Sequence, residues 1–326
     1  MLMKAASITL LSANRSLELK NVPVPVPAPH EVLIKVAFAG INRADLFQVQ
    51  GSYREPNGAS PIPGLEVSGT IYACGSLVKG WKVGDQAAAL VAGGGYAEYV
   101  TASASLLFSV PLGLTMLEAA ALPEALFTAY LNLFFLGKLK AKDSLLIHAG
   151  ASGIGHIAIQ MAKTSDIQVF TTASSAEKCD FCLKLGADFA FNYQGDWTKQ
   201  LLEATEGKGV TAILDMFGGQ FLASNLEILK EGGKLMLIAC LKGSKAEASL
   251  GKILLKNLTI KGSTLRSQTL ATKIQLAKRI RQIFWPKVEE GLIRPVIAQS
   301  FSFAEVNNSH EYMSSNQNMG KIVLEI

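Results

Sequence analysis

The sequence predicts an α/β protein in two parts: a compact, barrel-like β unit and a doubly wound parallel sheet flanked by helices. Three observations carry that prediction. Up to about residue 120 the chain is dense in Gly and Pro, with short β-forming runs; from about residue 122 strands and helices alternate; and a glycine-rich turn stands at the first strand-to-helix junction of that alternation. The 326 residues, 49% hydrophobic and 17% charged, supply enough apolar material for a large core and enough length for two domains.

In the first part, β-rich runs over 31–39, 67–73 and 96–100 are spaced as in a small barrel. The Pro-alternating stretch 22–29 cannot lie in a central strand, because each proline removes a backbone donor, so it is expected as an extended edge or connector. In the second part, strands are expected over 144–148, 168–172, 189–192, 210–215, 234–239 and 258–261. Helical spacing falls over 154–163, 176–185, 197–205 and 220–229. A long helix is expected over 271–290, interrupted by Pro286, and a last strand over 321–324 that returns to the first part.

The net charge of +5 is spread along the chain, which suits a small anionic ligand better than a nucleic-acid groove. No basic stripe with interleaved aromatics points to nucleic acid. Cys74, Cys179, Cys182 and Cys240 are too few and too scattered for a disulfide framework, so a cytoplasmic location is expected. The pair Cys179 and Cys182 has no second pair to complete a metal site and reads as part of a helix face. Neither a signal peptide nor a membrane-spanning segment is expected.

The strongest local motif is His148-Ala149-Gly150-Ala151-Ser152-Gly153-Ile154-Gly155. Leaving a strand and opening a helix, it has the context in which glycines let backbone approach a pyrophosphate and the helix start supplies N–H donors. Gly150, Ser152, Gly153, Ile154 and Gly155 are therefore the candidate dinucleotide contacts of a Rossmann unit, with Ser152 where the G-x-G-x-x-G pattern has its middle glycine. NAD-binding folds place an acid about 20 residues on, at the end of the next strand, to hold the ribose 2′-hydroxyl. Here that end reads Thr172-Ala173-Ser174-Ser175-Ala176-Glu177-Lys178. The hydroxyls of Ser174 and Ser175 followed by Lys178 suit an added 2′-phosphate, so NADPH is the expected cofactor. Glu177 reads as an exposed acid in a first helical turn, and His148, closing an apolar strand, as a satisfied core or turn histidine.

Segments along nearly the whole chain resemble the zinc-free quinone oxidoreductases of the medium-chain dehydrogenase/reductase superfamily. They include Asn42-Arg43-Ala44-Asp45, Gly51-Ser52-Tyr53, Pro63-Gly64-Leu65-Glu66, Gly93-Gly94-Gly95-Tyr96, the turn at 148–155, Leu214-Asp215, Gly262-Ser263-Thr264-Leu265-Arg266 and Gly320-Lys321. The chain most resembles the branch containing the mammalian p53-inducible homologue. The resemblance implies a GroES-like β-barrel catalytic domain over 1–121 and 266–326, and a Rossmann domain over 122–265. Zinc-dependent relatives carry Cys where this chain has Asn42 and His where it has Leu65, so no metal is expected.

The resemblance further places Asn42, Asp45 and Tyr53 beside the nicotinamide and acceptor. Asn42 would hold either of them, Tyr53 would donate to a developing oxyanion, and Asp45 would order its loop. Glu66 reads as a structural hydrogen-bond partner. Thr128, Tyr193, the 239–242 segment with Ala239 and Leu241, Leu265 and Arg266 are implied as further cofactor contacts. A homodimer is implied, joined through a late sheet edge. The implied activity is metal-free hydride transfer from NADPH to a quinone, whose conjugated oxygens accept the incoming charge. Two alternatives remain: reduction of another conjugated carbonyl, as in an enoyl reductase, and an RNA-binding or structural role.

Overall fold

The computed structural model describes residues 1–11 and 14–326. It comprises two compact units, Met1–Ala125 with Arg266–Glu289 and Pro295–Ile326, and Leu126–Leu265 with Glu290–Arg294. The division falls inside the helix Pro123–Tyr130 rather than at 121/122. Glu290–Arg294 goes with the second unit because Gln160 clamps it, donating to the Arg294 carbonyl at 3.0 Å and accepting the Arg294 N–H at 2.8 Å.

In the first unit, Leu2–Leu11 and Asn14–Pro23 form an antiparallel pair. The main sheet runs in the order Ile297–Ser302, Lys321–Glu325, Glu31–Ile41, Glu66–Cys74, Gln86–Leu90, Leu107–Ser109. Glu31–Ile41 pairs with Glu66–Cys74 along 32–39, with Tyr99–Ser103 along 31–35 and with Lys321–Glu325 along 38–41. The C-terminal strand thus completes a sheet begun some 280 residues earlier: Ile322 and Leu324 join Val32, Ile34, Ile41 and Val67 in the core, while Lys321 is buried at the strand's start. The strand expected over 96–100 forms later, at Tyr99–Ser103, because Gly93 and Gly94 at positive φ keep the chain turning. The expected long helix is broken, with Leu270–Ile283 ending at Phe284 and Trp285–Glu289 starting anew. Pro286 lies in that second first turn, where its missing N–H costs nothing.

The second unit holds a wholly parallel six-stranded sheet in the order Phe189–Asn192, Gln168–Ala173, Ser144–Ile147, Val210–Asp215, Leu229–Leu237, Thr259–Gly262. Numbered along the chain this is 3-2-1-4-5-6, the Rossmann order, whose switch point lies between Ser144–Ile147 and Val210–Asp215. Leu146, Phe170, Ile213 and Leu235 fill its core against Trp197, Leu201 and Phe221. Met116–Leu136 is long and apolar enough to cross a membrane, but 72% of its apolar window is buried inside the protein, as in a core helix.

Candidate functional site

In the second unit the chain leaves Ser144–Ile147 and enters the helix Gly155–Lys163 through the glycine-rich turn. A Cβ on Gly150 would lie 2.8 Å from Cys182 Sγ and 2.9 Å from Thr171 Cβ. One on Gly155 would lie 2.5 and 2.6 Å from the carbonyls of Ala149 and Gly150. Only glycine lets the turn fold so tightly on itself. Ser152 Oγ accepts the Gly155 N–H at 3.0 Å and reaches Met216 Sδ at 3.6 Å, which ties the turn to the neighbouring loop. Among the described residues no protein acceptor takes the N–H of Gly153 or Ile154 at the helix start. Those donors, with the helix dipole behind them, fit a pyrophosphate.

A buried network sets the turn's base. Asp215 accepts N–H groups of Phe217 and Gly218 at 2.7 and 3.1 Å and the Asn225 amide at 3.0 Å. Asn225 Oδ1 and Thr172 Oγ1 each lie 2.8 Å from the His148 ring. Since Asn225 Oδ1 only accepts, His148 Nε2 carries the proton and Nδ1 accepts from Thr172. Burial holds His148 below its ordinary pKa, against the pull of Asp215 and Asn225, so the ring is neutral. Gly218 and Gly219, both at positive φ, press against the backbone of Cys240, Lys242 and Gly243. The N–H groups of Leu241 and Lys242 bond the Met216 and Phe217 carbonyls at 3.0 and 2.8 Å.

At the end of Gln168–Ala173, Ser175 Oγ caps the helix Ala176–Lys184 by accepting the Lys178 N–H at 3.3 Å. Lys178 is half-buried, and that burial lowers its pKa. Tyr193 packs edge-on against Phe217 and Phe221, with Lys242 Nζ 5.8 Å from its ring centre. Thr128 is buried, its carbonyl accepting the Asn132 amide at 2.9 Å, and Asn132 Oδ1 accepts from Ser263 at 2.7 Å. Ala239 is half-buried, Leu241 exposed and Leu265 buried. Cys179 and Cys182 are both buried, and burial pushes the Cys182 thiol up to about 12, which leaves it inert.

The first unit holds a second polar assembly. Glu66 is fully buried; its Oε1 accepts from Lys321 Nζ and, at 2.9 Å, from Asn42 Nδ2, while Oε2 accepts the Glu124 N–H at 2.9 Å. Lys321 also donates to Asn42 Oδ1 at 2.8 Å. Asp45, fully buried in the helix Arg43–Gln50, accepts the N–H groups of Asn42 and Gly64 at 2.8 and 3.1 Å and the Tyr96 hydroxyl at 2.9 Å. Burial raises Asp45 to about 6 even though these donors favour its charged form. Tyr96 OH lies 3.4 Å from His310 Nε2, and burial lowers His310 to about 4.

Arg266 is buried within the same unit. Its Nε donates to the Ala92 carbonyl at 2.8 Å, its Nη1 to Gln48 Oε1 at 2.9 Å, and its Cζ stands 5.7 Å from the Tyr53 ring centre. Lys273 Nζ donates to the Arg266 carbonyl at 2.9 Å. The structure therefore brings Asn42 and Asp45 together around Glu66 and Tyr96, and joins Tyr53 to Arg266. Lys321, Glu124, Lys273, Gln48, Tyr96 and His310 complete the assembly without having been singled out from sequence. A lone Glu124 in the apolar run 119–127, and a lysine opening the apolar strand Lys321–Glu325, were the available signals.

Two family models match the chain: "Alcohol dehydrogenase GroES-like domain" over residues 28–112 and "Zinc-binding dehydrogenase" over 153–279. A quinone oxidoreductase of Lama guanicoe is 32% identical over 329 aligned residues, covering 99% of this chain and 97% of the relative. The chain belongs to the quinone oxidoreductases of the medium-chain dehydrogenase/reductase superfamily. Among solved structures, the CurK enoyl reductase matches with a TM-score of 0.86 at 25% identity, covering 99% of both chains. An NAD-dependent alcohol dehydrogenase matches with a TM-score of 0.85 at 27% identity, covering 99% of this chain and 100% of that one. As a member of this superfamily the chain is an oxidoreductase with a nicotinamide cofactor. Among the described residues no group of three or more His, Cys, Asp or Glu side chains is arranged to hold a metal ion.

Proposed function

We propose that the chain is an NADPH-dependent quinone oxidoreductase that works without metal. One observation carries the choice of cofactor. The end of the strand Gln168–Ala173 offers Ser174, Ser175 and the half-buried Lys178 where a ribose 2′-hydroxyl would be held, and the carboxylate of this stretch, Glu177, is exposed in the first turn of the following helix. Lys242, beside Tyr193, adds a second cation suited to a 2′-phosphate. Gly150, Ser152, Gly153, Ile154 and Gly155 would hold the pyrophosphate, with Thr128, Ala239, Leu241 and Leu265 as further contacts. When bound, the nicotinamide supplies a hydride.

On the acceptor side, Tyr53 donates to the oxygen that gains charge, while the Glu66–Lys321 pair fixes Asn42 and Asp45 fixes the backbone at Gly64. By the resemblance, Asn42 and Leu65 stand where zinc-dependent relatives carry Cys and His, and a quinone, which spreads charge over its own conjugated oxygens, needs no Lewis acid. The similarity to an enoyl reductase supports a second reading, hydride transfer to an activated alkene.

The protein is further proposed to act in the cytoplasm as a homodimer. Thr259–Gly262 is an exposed sheet edge, and Leu250, Leu254 and Leu255 near it are 75–83% exposed. Steady-state kinetics with NADPH and NADH against ortho-quinones, para-quinones and 2-alkenals test the reading. Quinone turnover with NADPH preferred is expected; alkenal turnover without quinone turnover would select the second reading.

A further inference from the structure

We propose that Glu124 delivers the proton that completes reduction of the acceptor, an inference that rests on the hydride-transfer reading above. Glu124 opens the helix Pro123–Tyr130, and its backbone is pinned by the 2.9 Å bond from its N–H to Glu66 Oε2. The peptide is thereby fixed to the assembly that holds Asn42 and Lys321. The carboxyl behaves differently from the other acids of that assembly. Asp45 and Glu66 spend their oxygens on protein donors, whereas the Glu124 carboxyl takes no hydrogen bond among the described residues and is partly exposed. An acid with a fixed backbone and an uncommitted, half-buried carboxyl is equipped to serve a ligand.

Its surroundings keep it protonated. Burial, and then the charge of Glu66, raise the Glu124 carboxyl to about 8; Asp45 adds to this, while Lys321 and Lys273 oppose it. Arg266, which senses the Glu124 charge, is a further cation nearby. A carboxylic acid neutral at pH 7 and titrating near 8 is matched to general-acid work at neutral pH. The hydride brings both electrons to the acceptor and leaves an oxyanion. The Glu124 O–H bond then breaks, a new O–H forms on the acceptor oxygen, and the carboxylate regains its proton from water. The net reaction consumes one quinone, one reduced cofactor and one proton.

Glu124→Gln keeps the size and the backbone bond to Glu66 but removes the transferable proton. In the wild type, kcat/KM with NADPH and a quinone should fall as pH rises through about 8. Glu124→Gln should lower kcat roughly 100-fold at pH 7 and abolish that falling limb. A carboxyl infrared band that titrates near pH 8 in the wild type alone is the readout independent of turnover. An active wild type with an equally active Glu124→Gln variant of unchanged pH profile overturns the proposal alone, as does absence of the titrating band. A wild type that reduces no acceptor with either cofactor overturns the reductase reading and the proposal with it.

Discussion

The turn at Gly150–Gly155 and the assembly around Glu66 handle charge by opposite means. The turn is made of backbone: glycines without side chains, amides at a helix start and one serine that holds the loop together. It arises within six consecutive residues. The Glu66 assembly is made of side chains from positions 42, 45, 66, 96, 310 and 321 and the backbone N–H of Glu124, drawn from both ends of the chain by the C-terminal strand. The first is ready for an anion supplied from outside, whereas the second carries and compensates its own charges. A buried ion pair of this kind is costly to break from one side and inexpensive to remove whole.

That asymmetry is the sharpest way to break the comparison. Lys321→Met should destabilise the fold by about 3–5 kcal/mol, because it leaves the Glu66 carboxylate buried with only amide donors. Adding Glu66→Gln should recover much of that loss in denaturant unfolding. The turn should fail more locally. Gly155→Ala forces a Cβ against two backbone carbonyls, at about 1–3 kcal/mol of strain, and should weaken dinucleotide binding at least about 10-fold by calorimetric titration.

A pH series separates the regions further. Because His310 is lowered in the fold from 6.5 to about 4, the unfolded chain takes up the proton first as pH falls, so stability drops between those values. His310→Gln should remove on the order of 1–2 kcal/mol of that acid-side loss. The smallest effect is expected from Lys178→Ala, which should reduce the preference for NADPH over NADH about 10-fold, roughly 1.4 kcal/mol, while NADH activity persists. An unchanged preference would move the phosphate pocket to Lys242.

The two regions were unequally legible in the sequence for the same reason. Strand–helix alternation and the Gly150–Gly155 turn are local patterns, and the six strands of the parallel sheet appear within a few residues of where periodicity puts them, apart from an earlier start at Leu229. That strand begins there because a register irregularity next to Val210 lets Leu229 pair before Lys234. In the first unit, the antiparallel pair Leu2–Leu11 with Asn14–Pro23 was not anticipated, because the sequence between the two runs, Ser12-Ala13, carries none of the Gly or Asn signals of a tight turn. Asn42 and Asp45 could be singled out only through resemblance. Their partners Tyr96 and Lys321 lie 51 and 279 residues away in sequence and share no local pattern with them, nor does His310, which meets Tyr96. Glu124 stood out only as a lone acid in an apolar run, and its meaning comes from neighbours that only the fold supplies.

The most direct test is the oxidation of NADPH by a quinone, with the cofactor deuterated at one or the other C4 hydrogen. Hydride transfer predicts that deuterium on one face slows turnover, that deuterium on the other does not, and that one NADPH is consumed per hydroquinone formed. Equal rates for both labels, with no hydroquinone produced, would contradict it.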